Sequence, residues 1–296
     1  MTLQAQQDQT YRFFKSHAKA WQAKTEDEVY STIHNRHQAV FETMKKYPAG
    51  SALLDVGCGT GQLAIEASQK GWQAQGIDFA EDMIEIAKEN NQQASAGAEF
   101  QCGSIFAFEP ETKYDVISAQ GFIEYISLGQ LEQFLAFLKT ICNPGGSIAI
   151  GSRNRLFNVH SINEFTRIEH ELGTMDSLIE EAIALHTSKT QAEAVECIRN
   201  LKSEYVQPDK HPLTGIGVDT RYQFTPSDLA NKMHQAGFTV KAVYPVHFHP
   251  FPVNTMQDAE ISEIHKEMAR FASDKMITNH QLVPYSSSYV LEAVNA

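Results

Sequence analysis

The sequence predicts an α/β protein: a largely parallel sheet with helices on both faces, interrupted by two helical insertions. Three observations carry that prediction. Short apolar runs alternate with helical stretches from Ala52 to Arg153, the pattern of right-handed strand–helix–strand crossovers. A glycine-rich turn, "DVGCGTGQ", stands between the first strand and its helix. After Arg153 the rhythm changes to helices, and strands return only towards the C-terminal end.

Residues 10–46 read as helical, with Tyr11, Phe14, Ala18 and Trp21 near the helical period, until Pro48, Gly50 and Ser51 break the pattern. "ALLDVG" is then a buried strand and "GQLAIEASQKG" a helix ending at Gly71. "WQAQGID" makes a second strand, followed by a helix over "EDMIEIAKENNQQ". "AEFQCGS" and "YDVISAQ" are the third and fourth strands. The helix "LGQLEQFLAFLKTIC" closes at Asn143-Pro144-Gly145-Gly146, a turn that leads into "GSIAIGS", the fifth. Two helical patterns follow, around Asp176–His186 and Gln191–Tyr205, the second with Ser188 and Gln191 as a capping box. "TPSDLANKMHQAGF" has Thr225 as N-cap, Pro226 in the first turn and Gly237 at its end. "FTVKAVYPV" is a strand, a second helical insertion spans about 257–276, and "SSYVLEAV" is the last strand.

Composition narrows the function. The chain has 296 residues, 42% of them hydrophobic, as expected of a folded protein. Its formal charge of −12 argues against nucleic-acid partners, because phosphate neutralisation needs clustered Lys and Arg. Lys45-Lys46, the nearest thing to a basic run, reads as complementing a helix dipole. No window approaches the roughly 20 apolar residues of a membrane span, and no secretory signal is legible at the start. A cytoplasmic location with no membrane partner is expected. Cys58, Cys102, Cys142 and Cys197 lie far apart, which predicts reduced, mostly buried thiols and no metal.

In the turn, Gly57, Gly59 and Gly61 form G-x-G-x-G, with Gln62 where the dinucleotide fingerprint places its third glycine. No Gly-Lys-Ser/Thr follows, so a P-loop is excluded. Asp55, at the end of the first strand, would repel a pyrophosphate but suits an ammonium or sulfonium. Asp78, at the end of the second, is placed to accept hydrogen bonds from ribose hydroxyls. Ribose plus cation, without phosphate, describes S-adenosylmethionine.

With D-x-G-C-G-T-G, Asp78 in "GIDFAEDM", "YDVISAQGFIEYI" and "NPGGSIAI" in order, residues 50–152 resemble the class I S-adenosylmethionine-dependent methyltransferases. The resemblance implies a Rossmann-like, seven-stranded sheet whose last strand is antiparallel, with "SSYVLEAV" supplying that strand. It places Asp55, Gly57 and Gly59 at the methionine end of the cofactor, with Gly61 permitting the turn. Asp78 would hold the ribose, and Phe79 and Met83 would pack near the adenine or serve as ordinary core. Ser104 and Ile105 stand where the family often has an Asp beside the adenine amine. Gln120 lies where family members hydrogen-bond the amino-acid portion.

Catalytic candidates are Glu124 and Tyr125, after the fourth strand, and His247 and His249 in "VYPVHFHPFP". The two histidines sit at i, i+2, on one face of a strand. A metal pair, a general base and structural histidines all remain open readings, with no clear third and fourth ligand. Arg153, Arg155, Asn158 and His160, after the fifth strand, are candidates for an anionic or hydroxylated substrate, or for capping a helix.

The expected organisation is a single domain over 1–296. It comprises an N-terminal helical cap (1–48), a cofactor-binding core (49–152), a helical insertion able to act as a lid (153–222) and a C-terminal part (223–296) with a second helical insertion. The expected function is methyl transfer to a small polar acceptor, with oxygen slightly favoured over nitrogen. A non-catalytic cofactor-binding or interaction protein on this fold is the alternative, and a nicotinamide oxidoreductase a weaker one. The oligomeric state is not legible.

Overall fold

Strand β1 (Ala52–Val56) is buried on both faces, and every later element is arranged around it. The computed structural model describes residues 9–17, 31–201, 205–208, 221–253 and 258–296. β1 pairs in parallel with β2 (Gln73–Asp78) on one side and β4 (Tyr114–Ala119) on the other. β3 (Glu99–Cys102) extends the sheet beyond β2, and β5 (Cys142–Arg153) beyond β4. β7 (Ser286–Asn295) lies antiparallel between β5 and β6 (Phe238–Phe248), giving the order β3-β2-β1-β4-β5-β7-β6. The sheet therefore has the expected seven strands with a reversed last strand.

Alternate residues along the strands feed two separate cores. Leu54, Ile117, Ile148 and Ile150 join one cluster, with Phe134 and Leu138 of α5 (Leu128–Ile141), Leu185 of α8 (Met175–Thr187) and Met233 of α10 (Pro226–Gln235). Leu53, Val116 and Ala149 join another, with Ala39 and Val40 of α2 (Ser31–Met44) and Leu63 and Ala64 of α3 (Gln62–Gln69). That partition follows from the two-residue period of a strand and explains the near-continuous apolar runs. α4 (Glu81–Gln93) covers β2 and β3 and matches the expected helix end to end.

Several local readings shift. The predicted helix over 10–46 is present as α1 over 9–17 and as α2; Ala18 and Trp21 lie outside the described residues. Lys46 does more than complement a dipole. Its ammonium meets Glu292, fully buried on β7, at 2.6 Å, and that carboxylate also accepts the Tyr244 hydroxyl at 2.7 Å. The N-terminus of α9 (Gln191–Asn200) is capped by Thr190, which accepts the Glu193 N–H at 3.2 Å, rather than by Ser188 with Gln191. Ser188 instead donates to the Ala184 carbonyl, and the helix stops before Tyr205. Two helices escaped the periodicity altogether: α6 (Phe157–Ser161) and α7 (Glu164–Glu171), the latter capped by Asn163 and Thr166. Strand β5 already begins at Cys142, so Asn143-Pro144-Gly145-Gly146 is an irregularity within it, not a turn before it. α11 (Ala259–Met276) fills the second insertion. No described helix is long and apolar enough to cross a membrane.

Candidate functional site

The strand order reverses between β1 and β4, and a cavity of about 380 Å³ opens there at the carboxyl ends of the strands. Its floor is the glycine turn. Gly57, Gly59 and Gly61 have φ of +70°, +52° and +86°, a left-handed path that side chains resist. Gly57 and Gly59 line the cavity, whereas Gly61 faces inward: a Cβ there would stand 2.7 Å from Phe100. Gly61 thus serves the close helix–strand packing that the dinucleotide fingerprint assigns to its third glycine.

Asp55 and Asp78 both reach the cavity and are both buried. Burial raises the Asp55 carboxyl to about 7; the Ser118 hydroxyl pulls it down, and the nearby Asp78 adds to the rise. Burial also raises Asp78, against backbone N–H groups that favour its ionised form. One oxygen of Asp78 accepts the Gly59 N–H at 3.0 Å and the other the Ala80 N–H at 2.9 Å. A carboxylate offers about four acceptor positions, so room remains for ribose hydroxyls.

Phe79, Met83, Ser104, Ile105 and Gln120 line the same space, as the resemblance implied. Ser104 is committed locally: its hydroxyl accepts the Phe106 N–H and caps a short 3-10 turn, Ile105–Ala107. Gln120 donates its amide to the Ala149 carbonyl at 2.9 Å, which leaves its buried Oε1 without a donor. The residues fit an S-adenosylmethionine-type ligand on these grounds. An orphaned amide oxygen and a buried carboxylate both suit a cationic N–H or sulfonium.

Much of the remaining lining comes from the N-terminal helices, expected from the sequence as a helical cap over 1–48. Thr10, Tyr11 and Phe14 of α1 line the cavity; Tyr11 lies 5.7 Å from Phe79 at a tilt, and Phe14 meets Tyr125 edge-on at 5.3 Å. From α2 come Arg36 and His37. Burial brings His37 down to about 3, so its ring is neutral. Of the stretch 153–222, Arg221 is the one described residue that lines the cavity.

Glu124 and Tyr125 face the cavity from a 3-10 turn after β4. Glu124 is buried and stands 3.1 Å from the guanidinium of Arg153. Burial lowers Arg153 to about 10, against the pull of Glu124, and leaves it cationic at neutral pH. Tyr125 rises to about 12 through burial and the adjacent Glu124, with Arg221, Arg153 and Arg36 opposing. Arg153 thus pairs with Glu124, while Arg36 and Arg221 line the same cavity.

The other candidates lie elsewhere. Arg155 is 1% exposed and donates to Glu169 from both Nε and Nη2 at 2.9 Å. Asn158 donates to the same carboxylate at 2.7 Å and to Gln223 at 2.8 Å. Arg155 and Asn158 thus form a buried network and do not line the cavity. His160 contacts the His249 carbonyl at 3.2 Å. His247 and His249 also lie outside the lining, with their rings 4.4 Å apart. The i, i+2 spacing did bring them together, and α11 adds His265, 4.8 Å from His249. That third histidine was hidden by sequence distance.

A family model described as a methyltransferase domain matches residues 53–146. Among curated proteins, the ubiquinone biosynthesis O-methyltransferase of Bradyrhizobium sp. (strain ORS 278) is 26% identical over 107 residues, which is 36% of this chain and 42% of that protein. The protein of the same name from Nitrobacter winogradskyi is 29% identical over 107 residues, covering 36% and 40%. The chain thus spans less than half the length of these relatives. Among solved structures, magnesium protoporphyrin IX methyltransferase from Synechocystis PCC 6803 with bound SAH superposes with a TM-score of 0.56 over 97% of both chains, at 14% identity. At that identity the likeness is one of fold: a Rossmann-like methyltransferase sheet with helices on both sides.

Proposed function

We propose that this chain, built around a methyltransferase domain at residues 53–146, transfers the methyl group of S-adenosylmethionine to an oxygen of a small acceptor that carries an anionic group. The observation that carries this reading is the cavity at the strand ends, with Asp55, Asp78 and the glycine turn on its floor. S-adenosylmethionine would supply an electrophilic methyl carbon on a good leaving group. Asp78 would hold the ribose, and Gln120 Oε1 with Asp55 the cationic amino-acid end. Phe79, Met83 and Ile105 offer apolar walls for the adenine, with Tyr11 packed over Phe79.

Arg36 and Arg221 in the lining, with Arg153 paired to Glu124 at its edge, leave a net positive rim. Such a rim favours a carboxylate or phosphate on the acceptor, by charge-assisted hydrogen bonding. The chemistry asks the protein mainly for alignment of nucleophile and methyl carbon. Tyr125 and His37, both held neutral, are able to hydrogen-bond an acceptor hydroxyl and orient it. Oxygen as the nucleophile is supported by the names of the curated relatives, which are O-methyltransferases. A roof of α1 aromatics, excluding water from the reacting atoms, suits a small molecule better than a polymer. Cytoplasmic residence fits this reading.

The test pairs calorimetry with turnover. S-adenosylhomocysteine should bind the purified chain in a 1:1 ratio, and methyl-labelled S-adenosylmethionine should label hydroxylated carboxylates or phosphates from a small-molecule panel. Absence of S-adenosylhomocysteine binding sinks the reading entirely. Tight binding with no transfer to any acceptor, in the panel or in a cell extract, leaves a cofactor-binding protein without methyl-transfer activity.

A further inference from the structure

Outside the cavity, the end of β6 and one face of α11 bring together three imidazoles. The ligand-capable atoms of His247, His249 and His265 all lie within 4.8 Å of one another. Their rings are 4.4 Å (His247–His249), 4.8 Å (His249–His265) and 6.0 Å (His247–His265) apart. His249 and His265 are buried, and His247 is partly so.

Packing alone explains the trio poorly. Both ring nitrogens of His249 and Nδ1 of His265 are buried without a hydrogen-bond partner. Buried polar atoms are ordinarily satisfied, and a group of them converging on one point is what a bound ion would resolve. His247 adds a second, independent observation. Its φ of +59° is unusual for a residue with a Cβ, and strain of that kind gathers at functional sites. Ser287 Oγ lies 3.1 Å from His247 Nδ1. A second-sphere contact on the remote ring nitrogen is how metal-binding imidazoles are commonly oriented.

The donor chemistry also fits. Metal ligation requires a neutral imidazole, and burial in the apolar surroundings of β6 and α11 favours that form. No carboxylate joins the cluster among the described residues. Three imidazole nitrogens without a carboxylate favour zinc and its neighbours over magnesium or calcium.

We propose that His247, His249 and His265 hold a divalent first-row cation, zinc by preference, with water in the fourth position, and that it pins α11 to the end of β6. In a tetrahedral site with Zn–N near 2.0–2.1 Å, the nitrogens would stand about 3.3 Å apart. Rotation of the rings about χ2, a broad torsion in histidine, would draw them inward.

The experiment uses the full, untagged chain, stripped with a chelator and titrated with Zn²⁺ alone and, separately, with Co²⁺. One Zn²⁺ per chain should bind at submicromolar affinity and raise Tm. Co²⁺ should give the visible absorption of a low-symmetry, nitrogen-ligated site. His249→Gln and His265→Gln should each weaken Zn²⁺ binding at least 100-fold, while His265→Gln keeps its affinity for S-adenosylhomocysteine. Failure of Zn²⁺ to bind the stripped wild-type chain, or wild-type affinity in both variants, overturns the proposal. Because the readout is metal binding, a chain that transfers no methyl group would still pass or fail it.

Discussion

The carboxylate of Asp78 holds the backbone N–H of Gly59 at 3.0 Å, tying the end of β2 to the middle of the glycine turn. Through its other oxygen it holds the Ala80 N–H at 2.9 Å, at the start of α4. One side chain therefore shapes the turn and faces the cavity, so its removal should act twice. Asp78→Ala is expected to weaken S-adenosylhomocysteine by about 1–3 kcal/mol, the worth of a hydrogen bond to a charged group. Asp78→Asn, which keeps an acceptor but loses the charge, should fall between the two. Calorimetry reads both, and unchanged affinity in Asp78→Ala refutes the ribose role.

Two glycines of the same turn should respond differently to an added methyl. At Gly61 the new Cβ would meet Phe100 at 2.7 Å and Ala87 at 3.0 Å, on a φ of +86°. Overpacking and left-handed strain together predict a stability loss of about 2–4 kcal/mol for Gly61→Ala. At Gly59 nothing lies within 4 Å, so only the backbone strain applies, about 1–2 kcal/mol. Gly59 lines the cavity, however, and its Cβ would stand where a ligand approaches closely. Thermal unfolding should single out Gly61→Ala, and cofactor titration Gly59→Ala. A similar fall in Tm for both would contradict the packing role of Gly61.

These residues were legible in the sequence because the turn is local: strand, glycines and both carboxylates fall between Leu53 and Asp78. The central parallel strands were legible too, since burial on both faces leaves apolar runs such as "ALL" ahead of Asp55 and "VIS" in β4. What stayed hidden was assembled across the chain. Arg36, His37 and Tyr11 look like ordinary helix residues until α1 and α2 fold over the strand ends. Arg155 looked like a substrate ligand because its partner Glu169 sits on α7, an eight-residue helix too short to fill a periodicity window. His265 sits among charged residues of α11, and nothing nearby in the sequence points to His247 and His249.

The two arginines after β5 separate cleanly. Arg155 is locked to Glu169 in the interior, so Arg155→Ala strands a buried carboxylate and should cost about 3–5 kcal/mol of stability. Arg153 is partly exposed beside the cavity with Glu124, and Arg36 lines the cavity itself. Arg36→Ala should leave stability within about 1 kcal/mol of the wild type, as expected for a partly solvated charge, whereas Arg153→Ala also strands the buried Glu124 carboxylate and should cost more than that. Both should raise the KM for an anionic acceptor with the affinity for S-adenosylhomocysteine unchanged. Denaturant unfolding and acceptor kinetics check the pair, and a selective KM effect in Arg155→Ala would place that residue back in the site.

Asp55 makes cofactor binding depend on pH, with a direction that follows from burial. Its folded carboxyl sits at about 7, far above the ordinary carboxylate value of about 3.9. The ligand-free protein therefore prefers the protonated group. Asp55 contributes stability below about pH 4 and loses it progressively as the pH rises to about 7. A sulfonium and an ammonium favour the opposite, ionised state. Affinity for S-adenosylmethionine should accordingly climb up to about tenfold per unit between pH 5.5 and 7, then level off. At neutral pH, binding should release a fraction of a proton, visible as a dependence of the calorimetric heat on the ionisation enthalpy of the buffer. Asp55→Asn should bind more weakly and lose this part of the pH slope. A flat affinity from pH 5.5 to 8 in the wild type would mean that Asp55 does not sense the cationic end of the ligand.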